Sequence, residues 1–208
     1  MNAGRFTIRP SVRLGATLLA ASALHSTSAA AQTVFSATGT NAAAIQGTVD
    51  AFRTALGPLN PNVVGSFGTG RREINWDGVP EGLASPNNLA SNFSNVNSPR
   101  GVVLTTPGTG VKVSGIGPTN NQFSNLEATA PTFLAPFSPA RLFTSVGSNI
   151  TDVNFLVPGL TQSASTNAFG VVCSDADFAN TSSVEFSDVG NNSLGKFFTP
   201  APFGNATF

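Results

Sequence analysis

The residues best suited to chemistry lie between Gly70 and Pro80. This stretch holds the only tryptophan of the 208-residue chain and its only adjacent pair of arginines. An indole stacks on the apolar face of a sugar ring, while carboxylate, amide and guanidinium groups hydrogen-bond to its hydroxyl pairs. The stretch therefore predicts a sugar-binding site. Its residues are Arg71, Arg72, Glu73, Asn75, Trp76 and Asp77.

A structural role is the alternative for the same stretch, which has the pattern of a strand over 71–76. Alternation along a strand places Arg72, Ile74 and Trp76 on one side. Trp76 then shares its face with a core residue, and large aromatic side chains are mostly buried. In this interpretation Trp76 anchors the core, and the two arginines pair with nearby acids to fix loops.

Hydrolytic chemistry is the least favoured interpretation of these carboxylates. Glycoside hydrolases hold two carboxyl groups about 5–9.5 Å apart, but residues four apart on a strand, such as Glu73 and Asp77, are separated by about 13 Å. The only histidine, His25, lies in the N-terminal leader described below. The rest of the chain therefore lacks the imidazole of Ser-His-Asp and Cys-His sites and of histidine-bound zinc. We expect a protein that is not an enzyme and needs no catalytic cofactor.

A second cluster of oxygen-bearing side chains could hold a structural calcium ion. Asp175, Asp177 and Asn180 supply carboxylate and amide oxygens within one loop, and Ca²⁺ takes six to eight oxygen ligands. The alternative is a turn that ends the preceding strand, in which an Asp side chain binds the backbone.

Residues 1–31 have the pattern of a secretory signal peptide. Three arginines precede an apolar run over 14–24, and small residues lead to a cleavage site near Ala31. The run is shorter than the roughly 20 residues of a membrane-spanning helix. We expect a secreted, extracellular or periplasmic protein without stable membrane insertion.

Charge and cysteine content limit the partners of residues 32–208. Seven basic and ten acidic residues give a net charge of −3, which argues against nucleic acid because that affinity depends on neutralising phosphates. Cys173 is the only cysteine, so no disulfide forms within the chain. We expect it to be buried as a small apolar residue.

The elements that must position these residues are one helix and many short strands. Ile45, Val49, Phe52 and Leu56 lie on one face of an amphipathic helix over 41–56. Beyond it, short apolar runs alternate with Gly, Pro, Asn and Ser, and no βαβ pattern occurs. The predicted strands are 71–76, 101–106, 111–114, 123–126, 142–146, 150–157, 168–174, 182–187 and 194–199.

About nine antiparallel strands favour a mainly β fold, a two-sheet sandwich of jelly-roll type. We expect a hairpin between 101–106 and 111–114. The predicted organisation is a signal peptide over 1–31, an N-terminal strand and helix over 32–57, and a β-sandwich domain over 58–208. The last residues look like the entry to a further strand, so either a closing strand is missing or a sheet edge is open.

Four motifs resemble those of secreted bacterial β-sandwich proteins of unassigned function, many of which carry a PEP-CTERM sorting tail. The motifs lie at 70–80, 98–103, 143–149 and 168–175. The resemblance implies an exported β-sandwich and no particular activity. The sorted members carry a terminal Pro-Glu-Pro motif, an apolar span and a basic end, and this sequence has none of the three.

These observations favour an exported, non-catalytic interaction module that binds a polysaccharide, a cell-surface glycan or the extracellular matrix. A structural exoprotein that assembles through open sheet edges is the alternative. The sequence predicts no oligomeric state.

Overall fold

The computed structural model of the chain describes residues 5–8, 32–138, 140–176, 178–200 and 206–207. Strand residues outnumber helical residues, 23% against 17%, so the fold is mainly β with few helices, as the sequence predicts. Most of the predicted signal peptide, the predicted calcium ligand Asp177 and most of the segment after Pro200 lie outside the described residues.

The predicted helix is present as α1, Ala42–Leu56. Asn41 caps its first turn, because its side-chain oxygen accepts a hydrogen bond of 3.1 Å from the backbone N–H three residues later. The helix ends at Gly57, whose φ of +88° lies in the region that favours glycine. Two side chains of the predicted apolar face, Ile45 and Val49, are buried. Within the described residues, the other helical segments are α2 (Phe93–Val96) and the 3₁₀ turns Trp76–Gly78, Glu81–Leu83 and Ala130–Thr132.

Seven strands lie between residues 38 and 198, and one more lies on each side. They are β1 (Arg5–Ile8), β2 (Thr38–Gly39), β3 (Val102–Thr105), β4 (Gly110–Val113), β5 (Phe143–Val146), β6 (Thr151–Phe155), β7 (Ser183–Ser187), β8 (Ser193–Phe198) and β9 (Ala206–Thr207). They form three separate antiparallel sheets, one of five strands and two of two strands. These sheets do not show the closed jelly-roll sandwich expected from the sequence.

The five-stranded sheet has the order β3-β6-β1-β7-β8, and the smaller sheets pair β2 with β9 and β4 with β5. Residues 188–192 join β7 to β8 as a hairpin, and Asn191 adopts the left-handed conformation there, with φ of +62°.

Four predictions about strands are wrong. The predicted hairpin is absent because β3 pairs with β6 and β4 pairs with β5. The connection between β3 and β4 is bound to β5 instead, through a hydrogen bond of 2.7 Å from Thr109 N to Val146 O. The segments 123–126 and 168–174 contain no extended strand, and the first of them turns at Phe123, whose φ is +65°.

The fourth error concerns 71–76. Arg71 makes a single bridge to Leu59, and Asn75 starts a 3₁₀ turn, because its Oδ1 accepts a hydrogen bond of 2.9 Å from Asp77 N. This local competition between an Asn side chain and a strand ladder ends the extended conformation.

Aliphatic side chains form the main core. Its buried members are Val79, Leu89, Val102, Leu104, Val111, Val113 and Val153. Phenylalanines of the strands, such as Phe143, Phe155 and Phe186, pack around this cluster and are only partly buried. The segment 74–80 lies against the same cluster through Ile74, which fixes the position of the candidate site.

Candidate functional site

A groove with a volume of about 510 Å³ lies beside the 3₁₀ turn Trp76–Gly78. The opposite wall comes from α2 and the loop that follows it, as far as Arg100. Grooves of roughly 300–1,000 Å³ are the usual size of small-molecule sites. This one therefore has room for a short segment of a larger ligand.

Trp76 is half-buried in the wall of this groove. Its indole is stacked on the ring of Phe143, with centroids 4.6 Å apart and an angle of 13° between the planes. It also packs against the main core. The residue thus combines the two roles considered from the sequence, since the same ring contacts the core and lines an open site.

Arg72 lies apart from the groove lining and connects loops. Its guanidinium donates to the backbone carbonyls of Gly65 at 2.9 Å and of Pro61 at 3.1 Å, and also to Pro99 O. It stands 5.3 Å from the ring centroid of Phe67. Burial, and to a lesser degree the charge of Arg100, lower the pKa of this group. Most of its donors already have protein partners.

Arg71 and Glu73 join helix α1 to the candidate segment. Glu73 accepts two hydrogen bonds from Arg53 of the helix, at 2.8 and 3.0 Å, and one from Arg71 at 2.7 Å. Burial alone would raise the pKa of Glu73, but the hydrogen bonds from the two arginines outweigh it and hold the pKa below its ordinary value. The carboxylate is therefore charged and engaged.

Asp77 and Glu81 both bind Arg141, which is 5% exposed. The backbone N–H of Arg141 donates to Asp77 Oδ1 at 3.0 Å, and its Nη2 donates to Glu81 Oε2 at 2.8 Å. Nη1 donates to Ser114 O at 2.7 Å. Hydrogen bonds from Asn120, and after it Arg141, lower the pKa of Glu81. The structure uses both acids to hold a buried arginine.

Of the six residues predicted to bind a ligand, the structure places Asn75 and Trp76 at the groove. Five other polar residues of its wall were not among those predicted, and they are Asn62, Ser94, Asn97, Ser98 and Arg100. Two of these, Ser98 and Arg100, belong to the motif at 98–103, which was a usable signal. Asn62 and Asn97 lie in loops rich in Asn, and no spacing in the sequence distinguished them from the other asparagines.

Arg100 is the cation of the groove. Its Nε donates to Ser98 Oγ at 3.3 Å, and burial lowers the pKa of its guanidinium. The two η nitrogens make no hydrogen bond within the part of the chain that the structure describes. They can donate to a ligand oxygen without breaking an internal contact.

The predicted calcium ligands are only partly described. Asp175 and Asn180 are exposed and have left-handed backbones, with φ of +62° and +61°, while Asp177 is outside the described residues. Among the side chains that the structure describes, no group of three or more His, Cys, Asp or Glu could hold a metal ion.

Comparison of the chain with protein-family models, with curated proteins and with solved structures found no match. Within the described ranges, no helix is long and apolar enough to cross a membrane.

Proposed function

We propose that the exported chain, residues 32–208, is a non-catalytic module that binds a polysaccharide or a cell-surface glycan in the groove beside Trp76. The observation that carries this proposal is the chemistry of the groove wall. An indole, a guanidinium and several amides and hydroxyls face one space, which suits a ring with one apolar face and a rim of hydroxyl groups. The polar residues are Asn62, Asn75, Ser94, Asn97, Ser98 and Arg100.

The convergence of three motifs supports the same site. The segments 70–80 and 98–103 contribute residues to opposite walls of the groove, and Arg72 bonds the two segments together through Pro99 O. Phe143, the first residue of a third motif, supports the indole. Three of the four motifs that resemble secreted β-sandwich proteins therefore meet at one place, and we extend the resemblance to a sandwich of jelly-roll type.

The protonation of the nearby acids supports binding rather than turnover. A glycosidase needs a carboxylic acid whose pKa is raised so that it can donate a proton. The pKa values of Glu73 and Glu81 are instead lowered, mainly by hydrogen bonds that oppose the effect of burial. A glycoside hydrolase remains the least favoured alternative.

Export is part of the proposal. Removal of residues 1–31 near Ala31 would deliver the module to the periplasm or the extracellular space, and mass spectrometry of the exported protein tests the cleavage position. A calcium ion held by Asp175, Asp177 and Asn180 would tie the loop before β7. In that case EDTA lowers the melting temperature, and an unchanged melting temperature removes calcium from the proposal.

Isothermal titration calorimetry with neutral and acidic polysaccharides tests the site. We expect saturable binding that weakens by about tenfold in Arg100→Gln, since one lost hydrogen bond to a charged donor is worth roughly 1.5 kcal/mol. Lys196→Gln is the matched control, because it removes one positive charge from β8, outside the groove. Equal weakening in both variants would indicate nonspecific charge attraction.

Assembly through sheet edges is the second candidate, because β8 is an edge strand of the five-stranded sheet. Leu194 and Phe198 on this strand are 57% and 43% exposed. An exposed, partly apolar edge favours pairing with another chain. Lys196→Pro, which blocks that pairing, would then reduce the particle size in light scattering.

A further inference from the structure

The central strand of the large sheet comes from the predicted leader. Strand β1 (Arg5–Ile8) lies between β6 and β7 and is antiparallel to both. The two neighbours therefore run parallel to each other with one strand between them, so their axes are about 9–10 Å apart, twice the usual spacing of adjacent strands. If the leader is removed, as the proposed export requires, a strand-wide slot opens inside the sheet.

The slot cannot close without moving the core. Val153 of β6 is buried in the main core cluster, and Phe186 of β7 packs against the same cluster. Closing the gap would draw these side chains together by a full strand width and form a new parallel pair. The packed layer beneath opposes this movement, because close-packed interiors deform little.

The two edges of the slot specify the strand that fits. Position 6 of β1 is flanked in register by Val153 and Phe186, whereas position 7 is flanked by Asp152 and Glu185. Position 8 is flanked by Thr151 and Val184. Alternate residues of a strand face opposite sides of the sheet. The slot therefore suits an apolar residue at position 6, a small polar residue at position 7 and a second apolar residue at position 8.

The arm at the start of the exported chain has this pattern. Val34-Phe35-Ser36-Ala37 aligns with Arg5-Phe6-Thr7-Ile8, with an aromatic, a hydroxyl and an aliphatic residue at the last three positions. The arm belongs to no helix or strand, and Val34 is 60% exposed. Gln32 Oε1 lies 3.7 Å from the point where a Cβ on Gly195 of β8 would stand, so the arm starts beside the same sheet.

In its own chain the arm lies along α1. The rings of Phe35 and Phe52 are 5.5 Å apart, and the next residues, Thr38–Gly39, pair with β9 in another sheet. An arm that enters a neighbouring chain must give up its contact with Phe52, while Thr38–Gly39 stay paired with β9 at its base. Exchange of such arms between two copies gives a closed symmetric dimer.

We propose that, in the exported protein, the arm Val34–Ala37 of a second copy occupies the slot between β6 and β7. Backbone hydrogen bonds to both edges hold the incoming strand, and the alternate side-chain sites select it, as in other cases of strand addition. Asp152 and Glu185 flank the position of Ser36. The slot left by the leader thus becomes the dimer interface.

The test uses residues 32–208 produced directly from Gln32, so it does not depend on where the leader is cut. Light scattering coupled to size exclusion should show a dimer that dissociates on dilution from about 100 to about 1 μM. Phe35→Ser should raise the dimer dissociation constant at least about tenfold, whereas Val34→Ser should leave it within about twofold, because alternation places Val34 on the other face.

A synthetic peptide of residues 3–10 tests the slot itself. We expect it to bind one per chain, to convert the dimer to monomers, and to bind the Phe35→Ser variant as well, which shows that this variant is folded. The control peptide carries Phe6→Ser and Ile8→Ser and should not bind. Circular dichroism should show that residues 32–208 are folded without the peptide.

Four outcomes would overturn the proposal. They are a dimer that neither the peptide nor Phe35→Ser affects, a monomer that binds no peptide, a monomer that binds the peptide but never dimerises, and a chain that is unfolded without the peptide.

Discussion

The indole of Trp76 lies nearly flat on the ring of Phe143, with centroids 4.6 Å apart and planes 13° from parallel. Phe143 is the first residue of β5, while Trp76 opens a 3₁₀ turn more than sixty residues earlier. The stack therefore couples the groove to the sheet, and it determines how firmly the indole is held.

Phe143→Ala should remove this support. Because Phe143 is only partly buried, we expect a loss of about 2 kcal/mol in the free energy of unfolding, below the 3–5 of fully buried phenylalanines. Tryptophan emission should shift to the red in the folded state, since water then reaches the indole. Phe198→Ala, at an edge-strand residue that is 43% exposed, is the control and should leave the emission unchanged.

Arg141→Met should destabilise the fold through a different mechanism. The buried guanidinium donates to Ser114 O and to Glu81, and its removal leaves a buried carbonyl without its charged partner. We expect the free energy of unfolding, measured by chemical denaturation, to fall by about 2–3 kcal/mol. This is at the low end of the cost of breaking a buried ion pair, because Glu81 remains solvated. Glu81→Gln should cost less, since Arg141 keeps its bond to Ser114. Equal stability of Arg141→Met and the parent would contradict this role.

Acid should destabilise the protein partly through Glu73. Its folded pKa lies below the ordinary value of 4.5, so its contribution is present above that pH and is lost as the pH falls through the folded pKa. The free energy of unfolding should therefore decline between about pH 5 and about pH 3. In Glu73→Gln the decline should be shallower over the same interval. A parallel curve for this variant would show that Glu73 does not contribute to the pH dependence.

Cys173 should be unreactive in the folded protein. Burial raises the pKa of its thiol to about 11, from an ordinary 9.0, although the residue as a whole is only half-buried. At pH 8 the thiolate fraction falls about 100-fold, and alkylation by iodoacetamide should slow by at least that factor relative to the unfolded chain. Alkylation at equal rates before and after unfolding would contradict this expectation.

Local signals predicted α1 well. Its start is marked by Asn41, its buried face by apolar residues three and four apart, and its end by Gly57. All of these signals lie close together in the sequence, so the bounds of the helix follow from neighbouring residues alone. The hairpin of β7 and β8 was predictable for the same reason, because Asn191 supports the left-handed turn.

Contacts between distant residues explain the errors. Whether 102–105 pairs with 110–113 or with 151–155 depends on loops that no local pattern describes. The same limit applies to the candidate site. Trp76 was identified by its type, but Arg100 reaches the groove only because α2 packs opposite the turn, and Arg141 becomes important only once Asp77 and Glu81 converge on it.

The most direct measurement is a fluorescence titration of residues 32–208 with a panel of polysaccharides, because Trp76 is the only tryptophan and lines the groove. We predict a saturable change in emission with at least one glycan, and about tenfold weaker saturation in Arg100→Gln, the free-energy loss expected for one hydrogen bond to a charged donor. Emission that stays constant while the same glycans bind by calorimetry would place the site elsewhere. No binding to any glycan by either method would contradict the proposed function.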